Sequence, residues 1–423
     1  MRSGSTATAV EVPLAASTDG AEAPAVVRPF ITDAPNNAPI DVQLIERREQ
    51  IPLTAKGWND LVAHNETNSI FQTYEWFDAW WQTFGGPHQL FFVVLRREQK
   101  VIGFAAMMLR NVSWRGRRLE FVGTGNADYE DFVLPYDKPA AMVALCKFLG
   151  AHSSRWSSAW LANVPSQSST LELLHKAGAS SGLYLVQEAQ LRCPALRLEG
   201  DRKGAEKLLK KYSLKRPLNW FSSRGEVSFR NVSALSEIQA LLPTFFDQHA
   251  RRWHAAGRPS LFDAGSQRTF YLALAAALHS AGWLLFSVVE FNGQPIAFHF
   301  GFDYFGSIIW YKPSFEVQYA EHSPGLLLTR KIIEDGLQRS KRELDFTIGE
   351  EAFKDRFANV SRYNVTLSVY HSLPQALRAT GWRWLRRNLG RLRRKLNAQK
   401  PSPYASREAA PAAEGSKTTD SSE

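Results

Sequence analysis

Two stretches of the chain repeat at a constant spacing of 194 residues. LFFVVLRREQKVIGFAAMML begins at Leu90, and LLFSVVEFNGQPIAFHFGFD begins at Leu284. Without a gap, Leu90 aligns with Leu284, Phe92 with Phe286, Val94 with Val288, Ile102 with Ile296 and Phe104 with Phe298. Each stretch reads as a strand, a polar turn (REQK or FNGQ) and a second strand, hence a β-hairpin. Each follows a helical stretch, 72–84 before the first and 266–281 before the second. Any two hairpins share alternation, but the ungapped register and the matched preceding helix favour a duplication. A duplicated helix and hairpin predict an α/β fold with two related halves, each a mixed central sheet flanked by helices.

Further strands are expected at 117–122, 158–164, 183–198, 306–312, 343–348 and 363–370, and helices at 138–151, 167–177, 202–214, 236–252 and 324–340. This gives an amino-terminal tail over 1–40, a first domain over 41–200, a second over 201–372, a basic helix within 373–400 and a second tail over 401–423. Both tails are rich in small and polar residues without a sustained period and read as disordered.

The longest apolar runs, 101–109 and 271–278, are far short of a membrane span. The first residues lack the pattern of a secretory signal, and Cys146 and Cys193 have no metal-ligand spacing. A cytoplasmic protein without a resident metal is expected. The net charge of +10 is concentrated in one place: Arg378 to Lys400 holds nine Lys or Arg and no acid, leaving about +1 for the rest. A nucleic-acid-binding body more often carries its basicity on the fold itself, so nucleic acid is not the expected partner. Lys203, Lys207, Lys210, Lys211, Lys215 and Arg216 read as a solvated helix face.

Within GWRWLRRNLGRLRRKL (381–396), Leu385, Leu389, Leu392 and Leu396 recur at helical spacing between arginines. Such a helix suits the inner face of an anionic membrane or an acidic protein; the alternative is packing on the body of the chain. In EHSPGLLLTRKIIEDG (321–336), Ser323 suits an N-cap, Pro324 the first helical position, and Gly325 leaves the first turn almost bare. Free amides and the helix dipole favour an anion there, so the turn reads as a phosphate site or as a capped helix packed tightly on a strand.

In order, FFDQHARRWHAAGRPSLF (245–262), the second hairpin, IIWYKPSFEVQYAEHSPGLLL (308–328) and ELDFTIGEEAFKDRFAN (343–359) resemble the BioF2-like/CelD group of GNAT-fold acyltransferases. SIFQTYEWFDAWW (69–81) and GTGNADYEDFVL (123–134) resemble the amino-terminal segment of the same family. The resemblance spans about residues 69–370. It implies tandem GNAT-like halves, similar to those of the FemAB-type aminoacyltransferases. It also implies acetyl-CoA or another acyl-CoA as co-substrate, and an acceptor saccharide or amine from cell-envelope or exopolysaccharide (cellulose-type) production. In that fold the acyl-CoA pyrophosphate lies on the helix after the central splayed strand, which implies Ser323, Gly325 and Leu326 as donor contacts. The chain departs from the family's R/Q-x-x-G-x-G/A loop, with Glu321 in place of Arg or Gln and bulky Leu326 and Leu327. FemAB-type enzymes keep the fold and use aminoacyl-tRNA, so that donor stays open, as does a non-catalytic accessory role in polysaccharide synthesis.

Acyl transfer needs a base for the nucleophile and donors for the developing oxyanion. FKDRF resembles the FemAB-type segment whose lysine approaches the substrate, which implies Lys354 in that role; a surface lysine is the alternative. Asp345 ends a strand and reads as a base or substrate anchor, or else as an N-cap or ion-pair partner. His299 alternates with Phe298 and Phe300 and faces the cleft or the opposite layer. His249, Arg252 and Trp253 gather on one part of a helix and suit a sugar or a carboxylate, or else the core. Asp128 and Tyr129, in an acidic turn with Glu130 and Asp131, can orient acceptor hydroxyls or simply begin a strand.

Overall fold

The structure is a computed structural model describing residues 38–112, 116–349 and 351–381. The first half runs β1 (Ile40–Ile45), α1 (Ala55–His64), α2 (Tyr74–Phe84), β2 (Gln89–Arg97), β3 (Lys100–Asn111), β4 (Arg117–Phe121), α3 (Lys138–Ala151), β5 (Ser158–Pro165), α4 (Thr170–Ser180) and β6 (Tyr184–Arg197). Two connecting helices follow, α5 (Arg202–Leu209) and α6 (Tyr212–Ser222). The second half repeats the order with β7 (Val227–Val232), α7 (Leu235–Ala255), α8 (Gly265–Ser280), β8 (Leu284–Phe291), β9 (Gln294–Tyr304), β10 (Ser307–Phe315), α9 (Pro324–Gln338), β11 (Glu343–Asp345) and β12 (Val360–Tyr370). A short 3₁₀ turn, Lys354–Arg356, stands where α4 stood in the first half.

Backbone details recur at the spacing read in the sequence. The β2–β3 register shifts between Leu95 and Arg96, and the β8–β9 register shifts between Val289 and Glu290, the positions 194 residues on. The turn residues Glu98 and Asn292, also 194 apart, both have positive φ, 56° and 51°. Asn292–Gly293 fits a two-residue hairpin turn that needs φ > 0 at both positions. Caps fix the first two helices: Thr54 accepts from the Gly57 amide (3.1 Å) and Thr73 from the Trp76 amide (3.4 Å), each cap typically worth about 1 kcal/mol.

The strands form one sheet in the order β1-β2-β3-β4-β5-β12-β6-β11-β10-β9-β8-β7. The two halves exchange their last strands: β12 pairs with β5 of the first half, β6 with β11 of the second, and β6 and β12 with each other. The units drawn at residue 200 are therefore joined through their hydrogen-bond ladders. One face of the sheet is common to both halves. There Trp58, Phe77, Phe92 and Phe104 continue into Phe245, Phe262, Phe270 and Phe300 beneath α1, α2, α7 and α8. On the other face α3 and α4 cover the first half, and α5, α6 and α9 the second. Trp76 of α2 meets Phe270 of α8 edge-on at 5.5 Å, a geometry worth about 0.5–1.5 kcal/mol beyond area burial. Among the described residues no helix is long and apolar enough to cross a membrane.

The helix expected at 202–214 is two helices, with Tyr212 exposed at the start of the second. The strand expected at 343–348 stops at Asp345. The segment after β4 crosses β3, with Phe104 and Val133 exchanging backbone bonds of 2.8 and 3.0 Å. Gly103 permits that approach, since a Cβ there would lie 2.7 Å from the Val133 carbonyl oxygen and 2.9 Å from Leu134 Cδ2. Gly103→Ala should therefore cost about 1–3 kcal/mol in urea unfolding, the usual cost of overpacking. A loss within error would show that the crossing segment yields freely.

Candidate active site

The site lies on the common face, where the halves meet. Across β12, β6 and β11, Asp345 pairs with Ala195, which pairs with Val360, while Glu343 pairs with Arg197 and Arg362 with Cys193. Residues in register share a face, and so do residues two apart along a strand. Asp345, Glu343, Arg197 and Arg362 therefore stand around the small side chains Ala195 and Cys193, which leave space between them. β10 and β11 run parallel only over Ser307–Ile309 and Glu343–Asp345 and then part. Asp345 is the last paired residue before that opening.

The crossing segment brings Tyr129 over this floor. It is tied down by Asn163, whose side-chain amide donates to the Ala127 carbonyl (2.9 Å), and by Asn364, which donates to the Asp128 carbonyl (2.7 Å). The Tyr129 hydroxyl reaches both carboxylate oxygens of Asp345, at 2.9 and 3.0 Å. The Thr347 amide donates to Asp345 Oδ1 (2.8 Å), and Arg362 stands 3.7 Å from Oδ2 while also pairing with Glu343. Asp345 is only 6% exposed. Burial raises its carboxyl to about 6, against the pull of Arg362 and with the help of Glu343. Burial and the Asp345 charge push the Tyr129 phenol well above its ordinary range. A carboxyl near 6, held by three donors beside an opening, has the chemistry of a general base.

A cavity of about 490 Å³ opens on one side of Asp345, lined by Tyr129, Arg362, Glu343 and Asn364 and by residues 65–69 of the first half. Its wall polarity and size suit a sugar-sized ligand. Farther along β10 a bulge at Trp310 and Tyr311 sets Lys312 opposite Phe300, so Lys312 faces the common side together with Tyr311. Lys312 Nζ lies 3.7 Å from the Tyr311 ring centroid. Burial holds its ammonium below the usual range, Asp128 opposing and Lys354 reinforcing the shift. No carboxylate lies within ion-pair distance of Lys312 among the described residues. The Cys193 thiol, raised by burial, donates to the Leu191 carbonyl (3.8 Å) and feels the charges of Asp345, Asp128 and Lys354. Tyr129, Asp345, Asp128, Lys312 and Lys354 thus share one neighbourhood.

Lys354 is 4% exposed and donates to the Ile348 carbonyl (2.8 Å), with Glu351 at 2.9 Å. Arg252 donates to the Pro313 carbonyl (3.0 Å) and covers the Phe315 ring at 4.5 Å. His249 is bonded to Ser260 (2.9 Å) and stacked on Trp253. Burial and Arg252 hold its imidazole neutral, with a pKa of about 3. His299 lies apart on the opposite face of the sheet, fully buried and stacked on Trp310 at 4.7 Å, and is also held near 3 by burial.

At α9, Pro324 occupies the first position as expected, but Ser323 does not cap with its side chain. Its backbone is left-handed (φ 57°), and only its carbonyl takes part, accepting from Leu326 (3.0 Å) and Leu327 (3.2 Å). A Cβ on Gly325 would touch the Phe315 ring at 3.3 Å, so the bare turn abuts the end of β10. The basic helix expected within 381–396 lies outside the described residues beyond Gly381.

Lys312 and the arginines 197, 342 and 362 were not singled out in the sequence. The available signals were a lysine inside an otherwise apolar strand (IIWYKP) and the alternation of Arg362 and Asn364 in β12.

Residues 209–355, from the end of α5 through Lys354, match the family described as acetyltransferase (GNAT) domain. No curated protein matches the chain. Among solved structures, FemX is similar in fold at 10% identity, with a TM-score of 0.55 over 77% of this chain and 97% of FemX. A conserved protein of unknown function from Bacteroides thetaiotaomicron is similar at 11% identity, with a TM-score of 0.50 over 78% of this chain and 99% of that one. At these identities the likeness is one of fold alone. Residues 209–355 therefore match a GNAT acetyltransferase domain, set within a mixed α/β fold of two repeated halves that is similar to the fold of FemX.

Proposed function

We propose that the protein transfers an acyl group, acetyl from acetyl-CoA first among them, to a hydroxyl or amine of a cell-envelope or exopolysaccharide precursor, as the BioF2-like/CelD resemblance implies. The observation that carries the reading is Asp345, raised to about 6 at the point where β10 and β11 part. The polar cavity lies at the amino-terminal end of β10, and the α9 turn adjoins its other end. An acceptor in the cavity and a donor on the α9 side would meet at Asp345. Asp345 takes the proton as the acceptor oxygen or nitrogen attacks the acyl carbon. The carbonyl electrons pass to an oxyanion facing Lys312 and Lys354, then return as the thiolate of CoA leaves and is protonated.

A second reading, aminoacyl-tRNA as donor, is favoured by one specific surface. Lys203 and Lys207 lie on α5, Lys210 and Lys211 in the link to α6, and Lys215 and Arg216 on α6, all exposed around Tyr212, itself 76% exposed. Arg216 donates to the Glu321 carbonyl (3.3 Å), just before the α9 turn, so the basic surface borders the donor side.

Calorimetric titration with acetyl-CoA and with CoA, on the native protein and on Gly325→Trp, separates the readings. Saturable binding that the variant loses supports acyl-CoA. Silence with both ligands at millimolar concentration rejects it and moves the tRNA donor forward.

A further inference from the structure

The cavity beside Asp345 holds charges for which acyl transfer itself has no use. Several of its ionised groups already have partners: Glu66 pairs with Lys138, and Arg362 is shared between Glu343 and Asp345. Two arginines are not. Arg197 projects from β6 opposite Glu343, on the Asp345 face, and no acid pairs with it among the described residues. Arg342 immediately precedes β11, and its guanidinium donates only to the Phe305 carbonyl (2.5 Å) and to Ser307 Oγ (3.4 Å), both neutral. Glu199 stands beside them at the exposed rim, also without an ion partner among the described residues. Arg197 lies two residues along the strand from Ala195, the direct neighbour of Asp345, which separates the two rows by roughly 7 Å.

We infer that the acceptor is an acidic saccharide. It carries a carboxylate or phosphate about 7 Å from its nucleophilic hydroxyl or amine, the spacing of the two strand rows. Arg197 and Arg342 take the anion. Guanidinium forks bind both anions through paired, charge-assisted hydrogen bonds, more strongly in a recessed cavity than on an open surface. A neutral glucan unit would leave both arginines facing hydroxyls, which reward them little. The position of the nucleophile rests on the acyl-transfer reading; the anion subsite does not.

The test is calorimetric titration of the full-length protein with glucose, glucose 6-phosphate, glucuronate and inorganic phosphate. It is repeated on the Arg197→Gln/Arg342→Gln double variant and on Glu199→Gln. At least one charged sugar should bind about tenfold or more tightly than glucose and than phosphate alone. The double variant should lose that advantage, and Glu199→Gln, which removes a like charge, should keep or increase it. Preference for one charged sugar over the other identifies the anion. Saturable binding by neither charged sugar, parity with glucose, or an unchanged preference in the double variant overturns the inference. Charged-sugar binding that persists when acetyl-CoA gives no heat would refute the acyl-CoA donor and leave the acidic subsite standing.

Discussion

Asp345→Asn should lower kcat/KM for acyl transfer by about 10²–10⁴-fold, the usual contribution of a positioned general base. The amide is nearly isosteric, keeps an oxygen for the Thr347 amide and the Tyr129 hydroxyl, and removes the capacity to accept a proton together with the charge facing Arg362. Tyr129→Phe should cost less, because it leaves the carboxylate in place. In the native enzyme the base must be deprotonated, so kcat/KM should rise with pH through about 6, where burial sets the Asp345 carboxyl. Tyr129→Phe keeps the ring and removes only a hydrogen bond that favours the ionised form, so its activity limb should move to higher pH.

Stability has the opposite sign. The folded pKa of Asp345 lies above that of a free carboxyl at 3.8. Between those values the folded protein binds more protons than the unfolded chain, so this group's contribution to stability falls as pH rises through the window. Asp345→Asn should abolish the activity limb without lowering the neutral-pH unfolding midpoint by more than the lost Arg362 contact explains. A variant that transfers at the native rate would remove Asp345 from the chemistry.

The repeat was readable because a hairpin writes its own register: alternation, turn and bulge are local, and all three recur at one spacing. Helix limits such as Lys138–Ala151 were readable for the same reason. The exchange of β6 and β12 was not. Both strands alternate in the same way, and nothing local distinguishes a neighbour from the same half from one in the other half. β1 and β7, the two edges of the sheet, escaped notice because each is only six residues long, a short window in which to see a period of two. Within the site, Asp345 and Tyr129 each drew attention, but their pairing joins positions 216 residues apart. Arg362 reads in sequence as the solvent side of an alternating strand, because the cavity it faces exists only once both halves meet. His299 followed the alternation faithfully and was carried by it to the face away from the site.

The largest stability effect should come from a lysine that sequence reasoning passed over. Lys138 opens α3, is 0% exposed, and places its charge at the positive end of a helix, where a cation is disfavoured. Its ammonium donates to Glu66 (2.7 Å) and to Ser168 Oγ (3.1 Å), with Asp131 at 4.0 Å. Glu66 in turn accepts from the Ser169 amide (3.2 and 3.1 Å) and hydroxyl (2.7 Å) at the start of α4. Its pKa is lowered despite burial, because the Lys138 and Ser169 hydrogen bonds outweigh the desolvation that would raise it. Lys138→Ala leaves that carboxylate without its cation in a largely closed site, a loss of about 3–5 kcal/mol by analogy with broken buried pairs. The deficit should be full at neutral pH and shrink as the pH falls through the Glu66 titration, since a protonated Glu66 no longer needs the charge. Lys138→Met combined with Glu66→Gln should recover part of it, because the pair is then removed together. Urea unfolding at pH 7 and pH 4 measures all three. Glu66, Thr67, Asn68 and Ser69 also form a wall of the cavity, so any residual transfer by Lys138→Ala should show a raised acceptor KM at nearly constant kcat. A Lys138→Ala midpoint equal to that of the native protein at pH 7 would mean that Ser168, Ser169 and Thr67 hold the wall alone.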